Sequence, residues 1–309
     1  MRGAIQYYSN GAPVDAAIVQ LQATVAGGVV AGTSVQTDPA GQFSFNSIGG
    51  GDWQVQPQKI GGGGAAVAPI DAVYALQAAS GDRTFTAEQQ MACDVDGNGM
   101  VDDADATAII KYYVGETSQL PAAANCHSDW LFVPHPDPTS NQQLTQPLLF
   151  SSFCRPGAIS FQPLTGQADD QNFTAILIGD CTGAWQPSKG PTGSVVGGNT
   201  GTVVLRTYRQ RGRSVRTALW VENTPTLLAL DAQVQYDATQ MKFRSAEFLG
   251  DAHNAIARAN STVPGLIKIG VASAKPLQSG RLVLLNFLAK PERQDPSAVS
   301  LVSATVSGE

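Results

Sequence analysis

Apolar and polar residues alternate along most of this chain, and turn-forming residues separate the alternating segments. A period of two is typical of β-strands that bury one face. Within residues 1–58 the turns read SNGAPV, DPAG and GGGD, whose glycine, proline, asparagine and aspartate favour chain reversal. The alternation between them predicts five strands, at residues 3–8, 16–23, 28–36, 42–48 and 52–57.

Strand-like segments return after a long interruption, at residues 130–133, 158–162 and 173–178. They are too few and too scattered to form a sandwich of their own. We therefore expect residues 126–186 to complete or flank a first sandwich that begins with residues 1–58.

The remaining chain contains a linker and a second alternating region. Residues 187–201 are rich in glycine, serine and threonine, a composition typical of a flexible linker. Residues 202–309 alternate again, with regularly spaced turns, which predicts an antiparallel sandwich. The predicted fold class is mainly β, with two β-sandwich domains.

Two segments break the alternation and carry apolar residues at helical spacing. Residues 69–81 read PIDAVYALQAASG and residues 103–115 read DADATAIIKYYVG, and each segment ends at a glycine that can stop a helix. When the two segments are aligned residue by residue, Asp71 matches Asp105 and the terminal glycines match each other. Residues 59–116 are therefore predicted to form a small α-helical insert made of a duplicated loop-helix unit.

The loop before the second helix has the ligand spacing of a calcium site. Ca²⁺ takes six to eight oxygen ligands, and a twelve-residue loop brings alternate side chains and one backbone carbonyl to a common centre. Gly99 stands where such a loop turns sharply. The predicted ligands are the side chains of Asp94, Asp96, Asn98, Asp102 and Asp105 and the backbone carbonyl of Met100. The alternative is a solvated acidic turn.

The duplicated unit departs from an EF-hand in two ways. The last loop position is Asp105 rather than glutamate, and residues 82–93 predict at most one short turn of helix before the loop. The earlier copy keeps only Asp71, at its last loop position. We therefore expect one calcium ion, with a second, degenerate site around Asp71 in doubt.

The duplicated loop-helix of residues 59–116 resembles the type I dockerin module, which consists of two such halves. The resemblance implies calcium binding and docking to a partner protein through the last loop positions and the following helix. An alternative role for Ile70, Leu76 and Ile110 is core packing. The implied partner-binding residues are Asp103, Ala104, Ile110 and Lys111 in the second half and Pro69, Ile70, Leu76 and Gln77 in the first.

Two further resemblances concern the sandwiches. The segments GAIQYY, PVDAAIVQL, TDPAGQFSF and GDWQVQP resemble carboxypeptidase-regulatory or prealbumin-like sandwiches, which implies a structural spacer. The segments LLALDAQVQYDATQMKFRSAEF and GLIKIGVASAKPLQSGRLVLLNFLAK resemble the cohesin fold. That resemblance implies a C-terminal jelly roll that binds dockerins.

Four cysteines, an even number with no CxxC pair, favour disulfides over zinc. Of three possible pairings, the sequence favours Cys126 with Cys154, which bracket one β-rich segment, and Cys93 with Cys181, which each adjoin an acidic turn. Disulfides, and calcium sites that fill near millimolar calcium, indicate an extracellular or cell-surface location.

Charge and motifs disfavour other classes of function. Nineteen basic and 25 acidic residues give a net charge of −6, which disfavours general nucleic-acid binding. GxSxG, HExxH and P-loop motifs are missing, so an enzyme is not expected. No apolar stretch approaches the roughly 20 residues of a membrane span.

A chain that carries both complementary modules can bind another copy of itself head to tail. Contacts of this kind that do not close into a ring give open filaments. The first hypothesis is therefore a secreted, non-enzymatic assembly protein, such as a filament or surface-layer subunit. One alternative is a cellulosome-like scaffold or adaptor for other cohesin- or dockerin-bearing proteins. Another is polysaccharide binding through the few aromatic residues of the last domain, Tyr208, Trp220, Tyr236, Phe243, Phe248 and Phe287.

Overall fold

The computed structural model describes residues 1–25, 28–63, 65–187, 201–209, 213–224, 226–290 and 299–308. Strands predominate over helices in those ranges, which confirms the predicted mainly β fold. Most of the predicted linker, residues 187–201, lies outside the described ranges. The described α-helices are α1 (Pro69–Ser80), α2 (Ala87–Cys93), α3 (Asp103–Tyr113) and α4 (Pro121–Cys126).

The chain divides into two compact units. Unit 1 comprises residues 1–66, 85–100 and 119–193, and unit 2 comprises residues 67–84, 101–118 and 194–309. The predicted insert of residues 59–116 is therefore not a separate module. Its two long helices belong to unit 2, while residues 85–100 between them belong to unit 1. Short helices gain most of their stability from tertiary packing. Each helical segment therefore belongs to the unit whose sheet it packs against.

Unit 1 contains two principal sheets and a short hairpin, β8-β9. The sheet orders are β4-β1-β11-β6 and β3-β2-β5-β10-β7. The strands are β1 (Arg2–Tyr7), β2 (Ile18–Val25), β3 (Gly28–Gln36), β4 (Gln42–Ser44), β5 (Gly51–Gln58), β6 (Trp130–Pro134), β7 (Gln142–Thr145), β8 (Leu148–Phe150), β9 (Phe153–Arg155), β10 (Ala158–Leu164) and β11 (Phe173–Leu177).

The later strands of unit 1 complete the sheets that begin within residues 1–58. Strand β11 lies parallel to β1, and Ile5 is opposite Phe173. Strand β10 lies antiparallel to β5, and Ile159 is opposite Val55. All four side chains are fully buried, as expected for alternating strands that share one apolar interior.

Both predicted disulfides are confirmed, Cys93–Cys181 and Cys126–Cys154. The prediction for residues 82–93 was wrong, because the seven-residue helix α2 precedes the loop. The Thr86 side chain accepts a hydrogen bond from the backbone N–H of Gln89, and the Gln89 side chain accepts one from the backbone N–H of Thr86. This capping box and the buried disulfide stabilise a helix whose apolar spacing is weak.

Unit 2 contains two four-stranded antiparallel sheets, β12-β13-β18-β15 and β16-β17-β14-β19. Alternate residues such as Leu219, Leu230 and Ile269 fill the apolar interior of this unit. The strands are β12 (Thr202–Arg209), β13 (Ser214–Glu222), β14 (Leu227–Tyr236), β15 (Met241–Phe248), β16 (Ile256–Asn260), β17 (Leu266–Leu277), β18 (Gly280–Ala289) and β19 (Val299–Ser307).

Candidate calcium loop and docking face

Two predicted ligands of the loop lie close together in unit 1. Asp94 and Asp96 each offer a carboxylate oxygen within 4.8 Å of the other. The predicted ligand Asp105 follows the unit boundary after Met100 and belongs to unit 2. Gly97 and Gly99 turn it with φ of 75° and 90°, a left-handed conformation that glycine adopts without steric cost.

The environment of Asp94 fits a cation. Its Oδ1 atom is buried and has no hydrogen-bond partner, although Oδ2 accepts a bond of 2.9 Å from the backbone N–H of Gly99. Burial raises the pKa of Asp94, and the negative charge of the nearby Asp96 carboxylate adds to that shift. An unpaired, buried carboxylate oxygen is costly, and a divalent cation would satisfy it. The residues present therefore fit Ca²⁺, whose preferred ligands are oxygens.

The last two predicted ligands of the loop, Asp102 and Asp105, also begin helix α3. The Asp102 side chain accepts a hydrogen bond of 2.7 Å from the backbone N–H of Ala104. The Asp105 side chain accepts one of 2.9 Å from the backbone N–H of Asp102, which completes a capping box. The ligand geometry and the start of α3 thus depend on the same carboxylates.

The remaining predicted ligands, Asn98 and Met100, lie on the exposed side of the loop. Asn98 Oδ1 accepts a hydrogen bond of 2.8 Å from the backbone N–H of Met100. All six predicted calcium ligands stay predictions.

The retained aspartate of the first copy caps helix α1. Asp71 is fully buried, and its Oδ2 accepts a hydrogen bond of 2.8 Å from the backbone N–H of Ala68. The capping role accounts for Asp71 without a second ion, and the second calcium site stays a prediction.

We expect Asp71→Ala to destabilise unit 2 by about 1 kcal/mol, through loss of the cap, and to leave the number of bound calcium ions unchanged. Isothermal titration calorimetry with calcium and urea denaturation of the full chain would measure the two effects. Asp105→Ala is the matched comparison, and it should lose both the cap and the ion. A drop in the calcium stoichiometry of Asp71→Ala would contradict this account.

Helices α1 and α3 lie side by side on one sheet of unit 2. Helix α1 contacts β14 and β17, and helix α3 contacts β16 and β17. We call the covered surface of these strands the docking face. Its centre is Gly270: a Cβ atom there would lie 3.1 Å from Tyr113 Cδ1, 3.5 Å from Ile110 Cδ1 and 3.5 Å from Pro69 Cγ. Because residue 270 has no side chain, the two helices pack directly against the backbone of β17.

Small side chains surround this centre. Ala229 and Ala272 lie opposite each other on β14 and β17 and are 2% and 0% exposed. Their neighbours Leu230 and Val271 point into the sandwich interior, so strand alternation directs the alanines outward. Their burial therefore results from the helices above them.

A polar group lies beside the small residues. Asp231 is directly opposite Gly270, and its carboxylate accepts a hydrogen bond from the Tyr113 hydroxyl. Lys268 Nζ lies 5.7 Å from the centroid of the Tyr113 ring. Burial raises the pKa of Asp231, while Tyr113 and Lys268 oppose that shift. Burial and the Asp231 charge likewise raise the pKa of the Tyr113 hydroxyl.

The predicted partner-binding residues divide into three groups. Pro69 and Ile110 contact the docking face at Gly270. Gln77 is buried, and its Oε1 accepts a hydrogen bond of 2.8 Å from Arg83. Of the others, Ile70, Leu76 and Lys111 are half-buried, and Asp103 and Ala104 are exposed.

Sequence reasoning missed Tyr113, Asp231, Lys268 and Gly270. A signal was present, because two adjacent strands carry Ala229, Gly270 and Ala272 on the face that alternation directs outward. Outward small residues in central strands mark a close approach by another backbone.

Comparison with protein-family models finds no matching family, and no curated protein matches. About a third of the chain is similar to solved cohesin modules. One is the cohesin module of a family 33 glycoside hydrolase from Clostridium perfringens, with 18% identity, a TM-score of 0.30, and coverage of 35% of this chain and 83% of that one. The sixth cohesin of scaffoldin B from Acetivibrio cellulolyticus, solved with a Cel5 dockerin mutant, has 18% identity, a TM-score of 0.32 and coverage of 36% and 87%.

A non-cellulosomal cohesin from the archaeon Archaeoglobus fulgidus has 13% identity, a TM-score of 0.30 and coverage of 35% and 78%. Similarities of this size carry no functional conclusion. Among the described helices, none is long and apolar enough to cross a membrane.

Proposed function

We propose that this protein is a non-enzymatic assembly protein, in which a calcium-braced helix pair docks on the C-terminal sandwich. The observation that carries the proposal is the packing of Pro69, Ile110 and Tyr113 around Gly270. One chain thus contains a docking element and the surface that receives it. Both are built from complementary, closely packed side chains, as specific protein interfaces are.

The same contacts can form between copies. The sandwich of residues 202–309 is joined to the rest of the chain only through residues 188–200. The helix pair, in contrast, is joined to unit 1 on both sides of each helix. Exchange of the sandwich between copies would keep every contact of the docking face, and repeated exchange in one direction gives a head-to-tail filament.

Calcium has a structural role in this proposal. The ion would neutralise the carboxylates of Asp94, Asp96 and Asp105, and would thereby fix the start of α3. The docking residues Ile110 and Tyr113 follow on that helix. We place the protein outside the cell or on its surface, where calcium is abundant and the two disulfides are stable.

The test is sedimentation velocity of the full-length protein over a range of concentrations. In millimolar calcium we expect species larger than the monomer that grow with concentration, and in EGTA we expect their loss. A protein that stays monomeric at high concentration in calcium would refute assembly. Electron microscopy of the calcium sample would distinguish filaments from closed oligomers.

The two alternatives have less support. An adaptor would use the same helix face for other proteins, but this chain's own sandwich covers that face. Carbohydrate binding would need several exposed aromatic rings, whereas Tyr236 and Phe287 lie in the core, Phe243 and Phe248 pack against it, and Tyr208 is exposed. Capture of cohesin- or dockerin-bearing proteins, or binding to insoluble polysaccharide, would favour the respective alternative.

A further inference from the structure

We propose that the Tyr113–Asp231 hydrogen bond, flanked by Lys268, sets the register and partner specificity of the docking face. The inference rests on the proposed docking function and names the residues that select the partner, a second copy of this chain. Tyr113 comes from the helix pair and Asp231 from the sandwich, so each of the two docking elements supplies one member of the pair.

The surroundings of the pair give it this role. Among the neighbouring positions on the sheet, Ala229, Gly270 and Ala272 offer shape but no directional contact. Arg258, opposite Gly270, lies 4.0 Å from Glu116, but this ion pair is partly exposed to solvent and contributes less than a buried contact. Small apolar surfaces tolerate sliding, because each displaced contact is replaced by a similar one. A helix shifted along this face would leave the Asp231 carboxylate buried without the Tyr113 hydroxyl. A buried charged group that loses its partner is heavily penalised.

Lys268 adds a second directional element. Its ammonium group is within the range of a cation–π contact with the Tyr113 ring, and its charge favours the ionised form of Asp231. A competing helix with an aliphatic residue at the position of Tyr113 would bury Asp231 without a donor and Lys268 without a ring. The site therefore discriminates by penalising the wrong partner as well as by rewarding the right one.

The test isolates one docking contact between two full-length variants. The first carries Gly270→Trp, which blocks its own sheet and leaves its helices available. The second carries Ile110→Arg, which disables its own helices and leaves its sheet available. Mixed in millimolar calcium, the two should form a one-to-one complex whose Kd is measured by sedimentation or calorimetry. Calcium binding by the first variant checks that its helix pair remains folded.

Tyr113→Phe is then added to the first variant and Asp231→Ala to the second. We expect each change alone to raise the Kd about tenfold or more, since hydrogen bonds to charged groups contribute at this level. When both changes are present, the factor by which the Kd rises should be at least about ten times smaller than the product of the two single factors. Tyr74→Phe, which removes a hydroxyl from α1, is the matched control and should leave the Kd unchanged.

The outcomes separate the two proposals. If the complex forms but the two effects multiply to within about twofold, the pair does not set specificity and this inference is overturned. If the starting variants form no complex although each is folded, docking itself is refuted and the inference falls with it.

Discussion

Removal of calcium with EGTA is expected to lower the free energy of unfolding of the full chain by about 2.7 kcal/mol, relative to calcium at one hundred times its Kd. The reason lies in the loop, where the carboxylates of Asp94 and Asp96 lie within 4.8 Å of each other and Asp94 Oδ1 is buried without a hydrogen-bond partner. Urea denaturation in calcium and in EGTA measures the difference directly.

Asp94→Asn provides the sharper version of this experiment. The variant should lose most of the calcium-dependent stabilisation, because a neutral amide replaces a charged ligand. In EGTA it should be at least as stable as the unaltered protein, because it relieves the repulsion from Asp96 and the cost of burying a charge. Asp52→Asn removes an exposed carboxylate that lies outside the loop, in β5, and is the control. Equal calcium stabilisation of Asp94→Asn and the unaltered protein would contradict the assigned site.

A loop with calcium-ligand spacing could be recognised in the sequence because its predicted ligands are local: Asp94 and Asp105 belong to one twelve-residue segment. Calcium binding by this loop stays a prediction. The helices α1 and α3 were also predictable, since apolar spacing and a terminal glycine act over short distances. Helix α2 was missed because its apolar spacing is weak and part of its stability comes from a disulfide to the distant Cys181, although its capping box is a local signal.

The docking face could not be predicted in the same way, because its halves are far apart in sequence. Tyr113 and Asp231 are separated by 118 positions, and no local pattern pairs a tyrosine of one helix with an aspartate of a distant strand. The resemblance to dockerin indicated Pro69 and Ile110, which do contact the docking face. It also indicated Asp103 and Ala104, which the structure leaves exposed, because the face in contact is set by how the helices lie on β17.

The unit boundaries show the same limit. Sequence similarity between residues 69–81 and 103–115 predicts that they fold together, and they do lie together in unit 2. The surface that covers these helices was not predictable, since an apolar helix face can pack equally well on the other helix, on a sandwich or on a partner protein. Outward alanines on β14 and β17 identify the sandwich as the covering surface only once the strand register is known.

Gly270→Trp is expected to have the largest effect on assembly of any single change described. Its Cβ alone would lie 3.1 Å from Tyr113 and 3.5 Å from both Ile110 and Pro69, so an indole ring has no room while the helices are docked. Even one or two added methylenes in a packed core cost about 1–3 kcal/mol, and an indole adds far more. We expect the Kd for self-association to rise more than about a hundredfold.

The sandwich itself should tolerate the substitution, because the tryptophan side chain points away from the sandwich interior and aromatic residues suit β-strands. Hydrogen exchange would then show loss of protection in α1 and α3 but retained protection in β14 and β17. Gly166→Trp is the matched control, since nothing lies within 4 Å of a Cβ built at Gly166, and it should assemble normally. Assembly of Gly270→Trp at the same concentration as the unaltered protein would show that copies associate through another surface.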